Sequence, residues 1–203
     1  MIKVESLSFS RADRTILRDF SMSLEKNELV LLSGENGSGK TTLLQLIGGV
    51  LTPSSGVITL NDKKVADLSA AEQAKIRSIA PARRAFTLAY TVQEVLDFIP
   101  KKDRTRNSAQ IIAALGLDDL LERKVTELST GQQERVSVAL ALTQEADFYL
   151  LDEPFSAQDQ ANAAKMVQLF TSLKNGKGIL VISHNQDALR SYFDREIILV
   201  EPY

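Results

Sequence analysis

A glycine-rich segment at residues 34–42 carries the side chains best suited to chemistry, and it reads Gly34-Glu35-Asn36-Gly37-Ser38-Gly39-Lys40-Thr41-Thr42. An apolar run typical of a strand precedes it at residues 28–32, and residues 43–47 after it are typical of a helix. When a strand, a glycine-rich turn and a helix follow one another, the backbone N–H groups of the turn and the positive end of the helix dipole can converge on the anionic oxygens of a phosphate. Lys40 would reach the β- and γ-phosphates of a nucleotide, and the Thr41 hydroxyl would bind Mg²⁺. A purely structural turn is the alternative, but the combination favours nucleotide binding.

Two adjacent carboxylates, Asp152 and Glu153, follow a fully apolar run at residues 148–151 that predicts a buried strand. In a protein with a phosphate loop, we expect this strand to lie beside the strand that carries the loop. Asp152 would then hold Mg²⁺ through water, and Glu153 would polarise the attacking water. Two solvated acids at a strand end are the alternative.

A small polar segment, Leu128-Ser129-Thr130-Gly131-Gln132-Gln133, opens a long amphipathic helix that we predict over residues 131–145. Ser129 is typical of an N-cap residue, which is a structural role. A helix N-terminus entered through serine and glycine also lets an anion approach closely. Taken alone, this segment is a weak indication of phosphate binding.

Composition narrows the class of protein. The 203 residues have a formal net charge of −2, which gives no general attraction to nucleic acid or anionic lipid. Cysteine is absent from the sequence, which excludes disulfides and thiolate chemistry. No apolar run approaches the ~20 residues of a membrane helix, and the N-terminus does not resemble a signal peptide. These features predict a cytoplasmic protein that does not bind nucleic acid.

Alternating apolar residues predict two antiparallel strands in the N-terminal part of the chain, one at residues 2–9 and a second that includes residues 16–17 and 20–24. Residues 57–60 and Val65 flank Asn61-Asp62, a turn sequence, and therefore predict a hairpin. The next part, residues 70–128, is predicted to be largely helical and without a strand, with helices at 70–79, 92–98, 108–115 and 118–121.

The C-terminal part alternates helices with apolar strands, which implies parallel strands covered on both faces. A helix is predicted at residues 160–173, and strands at 148–151, 179–182 and 197–200. The predicted fold class is α/β, with a phosphate-loop core and a mostly parallel sheet. An antiparallel sheet lies at the N-terminal edge, and an α-helical subdomain is inserted at about residues 83–128.

These motifs, in this order, make the chain resemble the ATP-binding subunit of an ABC transporter. Residues 34–42 resemble the Walker A motif of that family, and residues 148–153 resemble Walker B with its catalytic glutamate. Residues 128–132 resemble the signature motif, with Thr130 where glycine is commoner, and residues 156–159 resemble the D-loop. His184, the only histidine, occupies the position of the switch histidine that contacts the γ-phosphate. The resemblance spans residues 1–203 as a single ABC ATPase domain.

Two positions depart from the family pattern. Arg11 stands where an aromatic residue normally stacks on adenine; its guanidinium plane could stack instead, or Phe9 could substitute. Ala82 follows Pro81 where the family carries a glutamine that contacts Mg²⁺. Gln93 lies inside a predicted helix and is a poor replacement.

The resemblance implies a head-to-tail homodimer that buries two ATP molecules, each between the Walker A motif of one chain and the signature of the other. Ser129, Gly131 and Gln132 would contact the nucleotide of the other chain. Thr41 and Asp152 would hold Mg²⁺, while Glu153 and His184 would be catalytic.

The resemblance further implies membrane-spanning permease subunits as partners, which would place this chain at the inner face of the cell membrane. Contacts are expected near the Ala82 loop, with Arg83 and Arg84 as candidates. A soluble ABC-type ATPase that acts outside transport remains an alternative, as does a nucleotide-binding module with little ATPase activity.

Overall fold

The computed structural model describes residues 1–82, 86–184 and 187–201. Its strands are β1 (Ile2–Arg11), β2 (Arg14–Leu24), β3 (Leu29–Ser33), β4 (Ser55–Leu60), β5 (Lys63–Lys64), β6 (Arg77–Ala80), β7 (Phe148–Asp152), β8 (Gly178–Ile182) and β9 (Arg195–Ile198). Its α-helices are α1 (Lys40–Ile47), α2 (Ala70–Ile76), α3 (Val92–Leu96), α4 (Ser108–Ala114), α5 (Thr130–Thr143) and α6 (Gln160–Leu173). Short 3-10 helices lie at Val65–Asp67, Lys101–Asp103, Asp118–Leu120, Val125–Glu127 and Asp187–Tyr192.

A parallel sheet with the strand order β6-β7-β8-β3-β9 forms the centre of the molecule. Alternate residues of β7 enter two different cores. Tyr149 and Leu151 pack with α5 and α6, whereas Phe148 and Leu150 pack with α1 and the antiparallel sheet. Burial on both faces explains why the sequence of this strand is apolar without alternation.

The sheet order corrects one expectation, because β7 does not lie beside the strand that carries the phosphate loop. β8 stands between β7 and β3 and pairs with both. The carboxylates at the end of β7 still reach the loop, since α1 contacts β7 across the sheet. The relevant neighbour of β7 is therefore the start of α1 and not β3.

The antiparallel sheet has the order β2-β1-β4-β5 and covers the side of the parallel sheet that α1 also covers. The predicted hairpin turn is confirmed, since Leu60 pairs with Lys63 around Asn61 and Asp62. Both turn residues have positive φ, 47° and 64°, which asparagine and aspartate tolerate. The strand expected at Val65 is wrong: Val65 is buried at the start of a 3-10 helix.

The expectation of a helix through residue 79, with no strand before residue 128, is also wrong. The helix α2 ends at Ile76, and Arg77–Ala80 pairs in parallel with β7 from Arg77 opposite Phe148 to Ala80 opposite Leu151. For residues 77–80, pairing with the buried strand β7 stabilises the extended conformation more than the helical spacing of their apolar side chains favours a helix. Pro81 was a usable signal, because the residue before a proline is driven to an extended conformation.

Residues 86–128 hold α3, α4 and three of the short 3-10 helices, and their apolar side chains share one core with α5 and α6. The helices are shorter than predicted: α3 ends at Leu96 and α4 at Ala114. Thr91 caps α3 through a reciprocal pair of hydrogen bonds with Glu94, which sets the start of that helix.

Phe170 on α6 offers a test of this packing. Its ring is fully buried and lies 5.8 Å from that of Phe155, the residue two positions after Glu153. We expect Phe170→Ala to lower the free energy of unfolding by about 3–5 kcal/mol, through lost burial and the cavity left behind. Phe98→Ala removes the same side chain from a position that is 62% exposed, and should change stability by less than about 0.5 kcal/mol. If urea denaturation showed the same loss of unfolding free energy for both variants, the assignment of Phe170 to the core would be contradicted.

Candidate nucleotide-binding site

The phosphate loop joins the end of β3 to the start of α1. Gly34 has φ +150°, and a Cβ there would lie 2.3 Å from the carbonyl oxygen of Leu199. Gly39 has φ +99° and is the N-cap residue of α1. Both positions therefore require glycine, and the loop leads directly into the first N–H groups of α1, which have no partner within the helix.

Lys40 is the first residue of α1 and is 7% exposed. Its ammonium group donates hydrogen bonds to the carbonyl oxygens of Gly34 (2.7 Å) and Glu35 (2.8 Å). These bonds bring the positive charge under the turn of the loop, which is where an anionic phosphate would be attracted.

A cavity of about 430 Å³, the phosphate-loop cavity, lies against the outer face of this loop. It gathers residues that are distant in sequence from four parts of the fold: the β1–β2 hairpin, the phosphate loop, the ends of β6 and β7, and the segment after β8. The lining residues are Arg14, Ile16, Asn36, Gly37, Gly39, Lys40, Thr41, Thr42, Ala82, Glu153, Ser156 and His184. Asn36 and His184 also line a neighbouring cavity of about 740 Å³, to which Gly34 and Glu35 contribute as well.

Thr41 and Asp152 meet at the edge of this cavity. The Thr41 hydroxyl donates a hydrogen bond of 3.0 Å to Asp152 Oδ2. Asp152 is 3% exposed, and burial raises the pKa of its carboxyl, with the nearby charge of Glu153 adding to the effect. The Thr41 hydroxyl and the Ala82 backbone oppose this rise.

Asp152 Oδ1 is buried without a well-formed hydrogen bond from any described residue. A buried carboxylate oxygen that is poorly satisfied is costly, so such an atom favours a ligand. A hydroxyl and a carboxylate at this distance fit the oxygen ligands that Mg²⁺ prefers.

Glu153 is held in an unusual backbone conformation, with φ +50°, directly before Pro154. Its N–H donates to the carbonyl oxygen of Ile182 at 2.8 Å, which fixes the residue to the end of β8. Its Oε1 lies 2.8 Å from His184 Nδ1, and the Ser183 hydroxyl lies 3.5 Å from Oε2. Strained conformations of this kind cost about 1–3 kcal/mol and occur where the surrounding structure fixes a functional side chain.

The signature segment, residues 128–132, lies elsewhere. Ser129 is confirmed as the N-cap of α5: its Oγ accepts from the Gln132 N–H at 3.3 Å, and its N–H donates to Gln132 Oε1 at 2.9 Å. The Gln132 side chain is thus engaged in the cap. No residue of this segment is among the described residues that line the phosphate-loop cavity. Within one chain, the structure does not bring Ser129, Gly131 and Gln132 to the loop.

Arg11 is exposed at the end of β1, opposite Arg14 across a tight turn, and it does not line the phosphate-loop cavity. Arg14 and Ile16 line it instead, and sequence reasoning missed both. The missed signal was the turn at residues 12–13, which reverses the chain and carries the residues after it toward the loop.

Ala82 lines the phosphate-loop cavity, but its methyl side chain has no oxygen that could bind Mg²⁺. Gln93 does not line this cavity and therefore does not replace the glutamine that the family carries at residue 82. The Gln93 amide donates to Oδ1 of Asp97, the C-cap residue of α3, at 3.0 Å. Arg83 and Arg84, the candidate partner contacts, lie outside the described residues.

Comparisons with known proteins agree with this geometry. The sequence profile of the ABC transporter family matches residues 17–156. The zinc transport system ATP-binding protein TroB of Treponema pallidum is 32% identical over 98% of this chain and 77% of its own length. The macrolide export ATP-binding/permease protein MacB of Vibrio parahaemolyticus is 31% identical over 97% of this chain, which spans only 32% of the length of MacB.

The dimeric structure of MJ0796, a bacterial ABC transporter cassette, has the same fold. It superposes with a TM-score of 0.85, is 27% identical, and the match covers 99% of this chain and 95% of that chain. The chain therefore belongs to the ABC transporter family, as an ATPase of the kind whose ATP hydrolysis powers transport.

Proposed function

We propose that two copies of this chain bind two ATP molecules head-to-tail, and that Mg²⁺-dependent hydrolysis at these sites drives separate membrane-spanning subunits. One observation carries this proposal. The phosphate loop, Glu153 and His184 line one cavity, and Asp152 is hydrogen-bonded to Thr41 at its edge. The signature segment opens a different helix, and none of its residues lines that cavity. A second copy can supply the signature, and the similarity to a dimeric cassette supports that arrangement.

Residues of both chains would contact the nucleotide in this dimer. The phosphates would lie on residues 34–42 of one chain. They would also face Ser129, Gly131 and Gln132 at the N-terminus of α5 in the other chain, where the helix dipole favours negative charge. Neither surface alone surrounds the triphosphate, so ATP would join the two chains and its hydrolysis would release them.

Thr41 and Asp152 are the residues that would hold Mg²⁺, as their hydrogen bond and the poorly satisfied Asp152 Oδ1 suggest. The ion, when bound, would neutralise charge on the phosphate oxygens during phosphoryl transfer. Because burial raises the pKa of Asp152, a proton competes for this carboxylate at low pH and would weaken metal binding there.

Glu153 would orient the attacking water and accept its hydrogen bond as the water attacks the γ-phosphorus. Its carboxylate is only 17% exposed and is fixed by the backbone bond to Ile182 and by His184. A fixed acceptor does not need to reorganise when the bond to the γ-phosphate breaks. His184, which is 49% exposed beside the loop, would contact the γ-phosphate and Glu153 together.

The membrane partner would dock near the Ala82 loop and the helical residues that follow it. Leu88, Tyr90 and Phe98 expose large apolar surfaces there, and the rings of Tyr90 and Phe98 stack edge-to-face at 5.3 Å. Exposed apolar side chains that cluster are typical of protein interaction sites. Arg83 and Arg84, the candidate contacts, precede these residues in the sequence. No described helix is long and apolar enough to cross a membrane.

Glu153→Gln tests the catalytic assignment. We expect ATP binding and ATP-dependent dimerisation to persist, while turnover falls by about 10²–10⁴-fold, because the amide cannot act as a base. Turnover is measured by phosphate release and dimerisation by size-exclusion chromatography. Glu122→Gln, an exposed site in the same chain, serves as the control and should retain wild-type turnover. Wild-type turnover in Glu153→Gln would remove Glu153 from this role.

Arg14→Ala and Arg11→Ala form a matched pair that tests which arginine contacts the nucleotide. Only Arg14 lines the phosphate-loop cavity, so Arg14→Ala should weaken ATP binding by about 5–30-fold, the effect of losing one cation–π contact of about 1–2 kcal/mol. Arg11→Ala should leave the dissociation constant unchanged in a fluorescent-nucleotide titration. If Arg11→Ala weakened ATP binding more than Arg14→Ala, Arg11 would be the arginine that contacts the nucleotide, as the sequence predicted.

Ala82→Gln tests the missing metal-facing amide. Ala82 lines both the phosphate-loop cavity and a second cavity of about 480 Å³, so the longer side chain has space. An added carbonyl oxygen near Asp152 should lower the Mg²⁺ concentration that gives half-maximal ATPase activity. Ala82→Met adds similar volume without that oxygen and should not lower it. An equal response to both substitutions would contradict a metal-facing position.

A further inference from the structure

The D-loop, residues 156–159, is fastened to the first turns of α5 by one carboxylate. Glu134 Oε1 accepts a short hydrogen bond from the Ser156 hydroxyl. Glu134 Oε2 accepts from the Ala157 N–H at 3.0 Å and from the Gln158 amide at 3.1 Å. Three successive residues of the D-loop therefore donate to a single side chain of the signature helix.

This bonding requires a carboxylate at residue 134. Two oxygens with about four acceptor positions can receive three donors, whereas glutamine offers one carbonyl oxygen and would direct an NH₂ group at the remaining donors. Charged acceptors also make stronger hydrogen bonds than neutral ones.

The same segment contacts the signature itself. The Gln158 amide also donates to the carbonyl oxygen of Gly131 at 2.9 Å. A Cβ on Gly131 would lie 2.5 Å from the carbonyl oxygen of Ala157, so the helix and the D-loop are in direct contact. A displacement of the N-terminus of α5 would therefore move the D-loop.

The other end of the D-loop reaches the catalytic residue. The Ser156 N–H donates to the carbonyl oxygen of Glu153 at 3.2 Å, and Ser156 lines the phosphate-loop cavity together with Glu153. Between them, Phe155 is buried against Phe170 on α6, which limits how far this turn can shift. A continuous set of contacts thus leads from Gly131 through Gln158, Glu134 and Ser156 to Glu153.

We propose that Glu134 is a positioning residue that couples the two nucleotide sites of the dimer through the D-loop. Phosphates of the other chain's ATP would settle on the N-terminus of α5. Glu134 would transmit that contact to the D-loop and so set the position of Glu153, which acts on the chain's own ATP. This inference rests on the head-to-tail arrangement proposed above.

Glu134→Gln is the direct test, with Glu127→Gln as a matched control at an exposed position just before α5. Since Glu134 lies outside the phosphate-loop cavity, Glu134→Gln should keep its ATP dissociation constant within about twofold of wild type. Its kcat should fall by about tenfold or more, as expected for a disrupted set of charge-assisted hydrogen bonds. The Hill coefficient for ATP should fall toward 1, because coupling between sites is lost. Glu127→Gln should match wild type in all three quantities.

A merely structural role for Glu134 would move the thermal midpoint and ATP binding along with kcat, and that result would overturn the proposal. Unchanged kcat and cooperativity in Glu134→Gln would also overturn it. A double-mutant cycle with Ser156→Ala adds a second criterion. If Glu134 acts through Ser156, the double variant should turn over no more slowly than the slower single variant, whereas multiplying effects would contradict a shared path.

Glu153→Gln in the same assay separates a failure of the coupling through Glu134 from a failure of the proposed ATPase function. Loss of turnover in Glu153→Gln together with wild-type kinetics in Glu134→Gln would reject the coupling alone. Wild-type turnover in Glu153→Gln would reject the proposed function on which the coupling rests.

Discussion

The hydrogen bond from the Thr41 hydroxyl to Asp152 joins the phosphate loop to the strand that ends in Asp152, directly before the proposed catalytic residue Glu153. The strand before the loop, β3, is separated from β7 by β8, so the two residues meet because Thr41 lies on α1, which contacts β7. Because Asp152 is buried and Glu153 follows it directly, the position of this bond also sets where Glu153 can stand relative to the loop. The buried, poorly satisfied carboxylate is costly by itself, and a metal ion with a nucleotide would relieve that cost.

The geometry divides the chemistry between two surfaces of the chain. One surface has the phosphate loop, a basic side chain beneath it and a fixed acidic side chain opposite. The other is the N-terminus of α5, which is capped by Ser129 and where the first backbone N–H groups have no partner within the helix. The D-loop contacts both surfaces, since Ser156 lines the phosphate-loop cavity and Gln158 bonds to Gly131. Each of the two surfaces is incomplete alone, and the D-loop connects them. This arrangement suits a cycle in which ATP binding joins two copies of the chain and ATP hydrolysis separates them.

Features that depend on neighbouring residues could be predicted from the sequence. The glycine-rich loop, the Asn61-Asp62 turn and the Ser129 cap follow from backbone freedom and short-range hydrogen bonds. Features that depend on pairing between elements distant in the chain could not be predicted from the sequence. The strand at Arg77–Ala80 forms only because β7 is there to pair with it, and the position of β8 between β7 and β3 is set by how whole elements pack. Arg14 was missed for the same reason, since its place beside the loop depends on how the β1–β2 hairpin folds over it.

The central claim is that each catalytic site is built from two chains, and mixing two inactive variants tests it most directly. Lys40→Ala removes the charge beneath the loop, and Ser129→Asp keeps an N-capping side chain but repels phosphate. Each variant alone should be inactive, because both sites of its homodimer are damaged. In a mixed dimer, one site has both lesions and the other has none, so equal amounts should recover ATPase activity of at most about a quarter of wild type per chain. The coupling proposed through Glu134 lowers this value, because the damaged site leaves one α5 without a phosphate. No recovery at any mixing ratio would contradict the account, since a site contained within one chain cannot be restored by a partner.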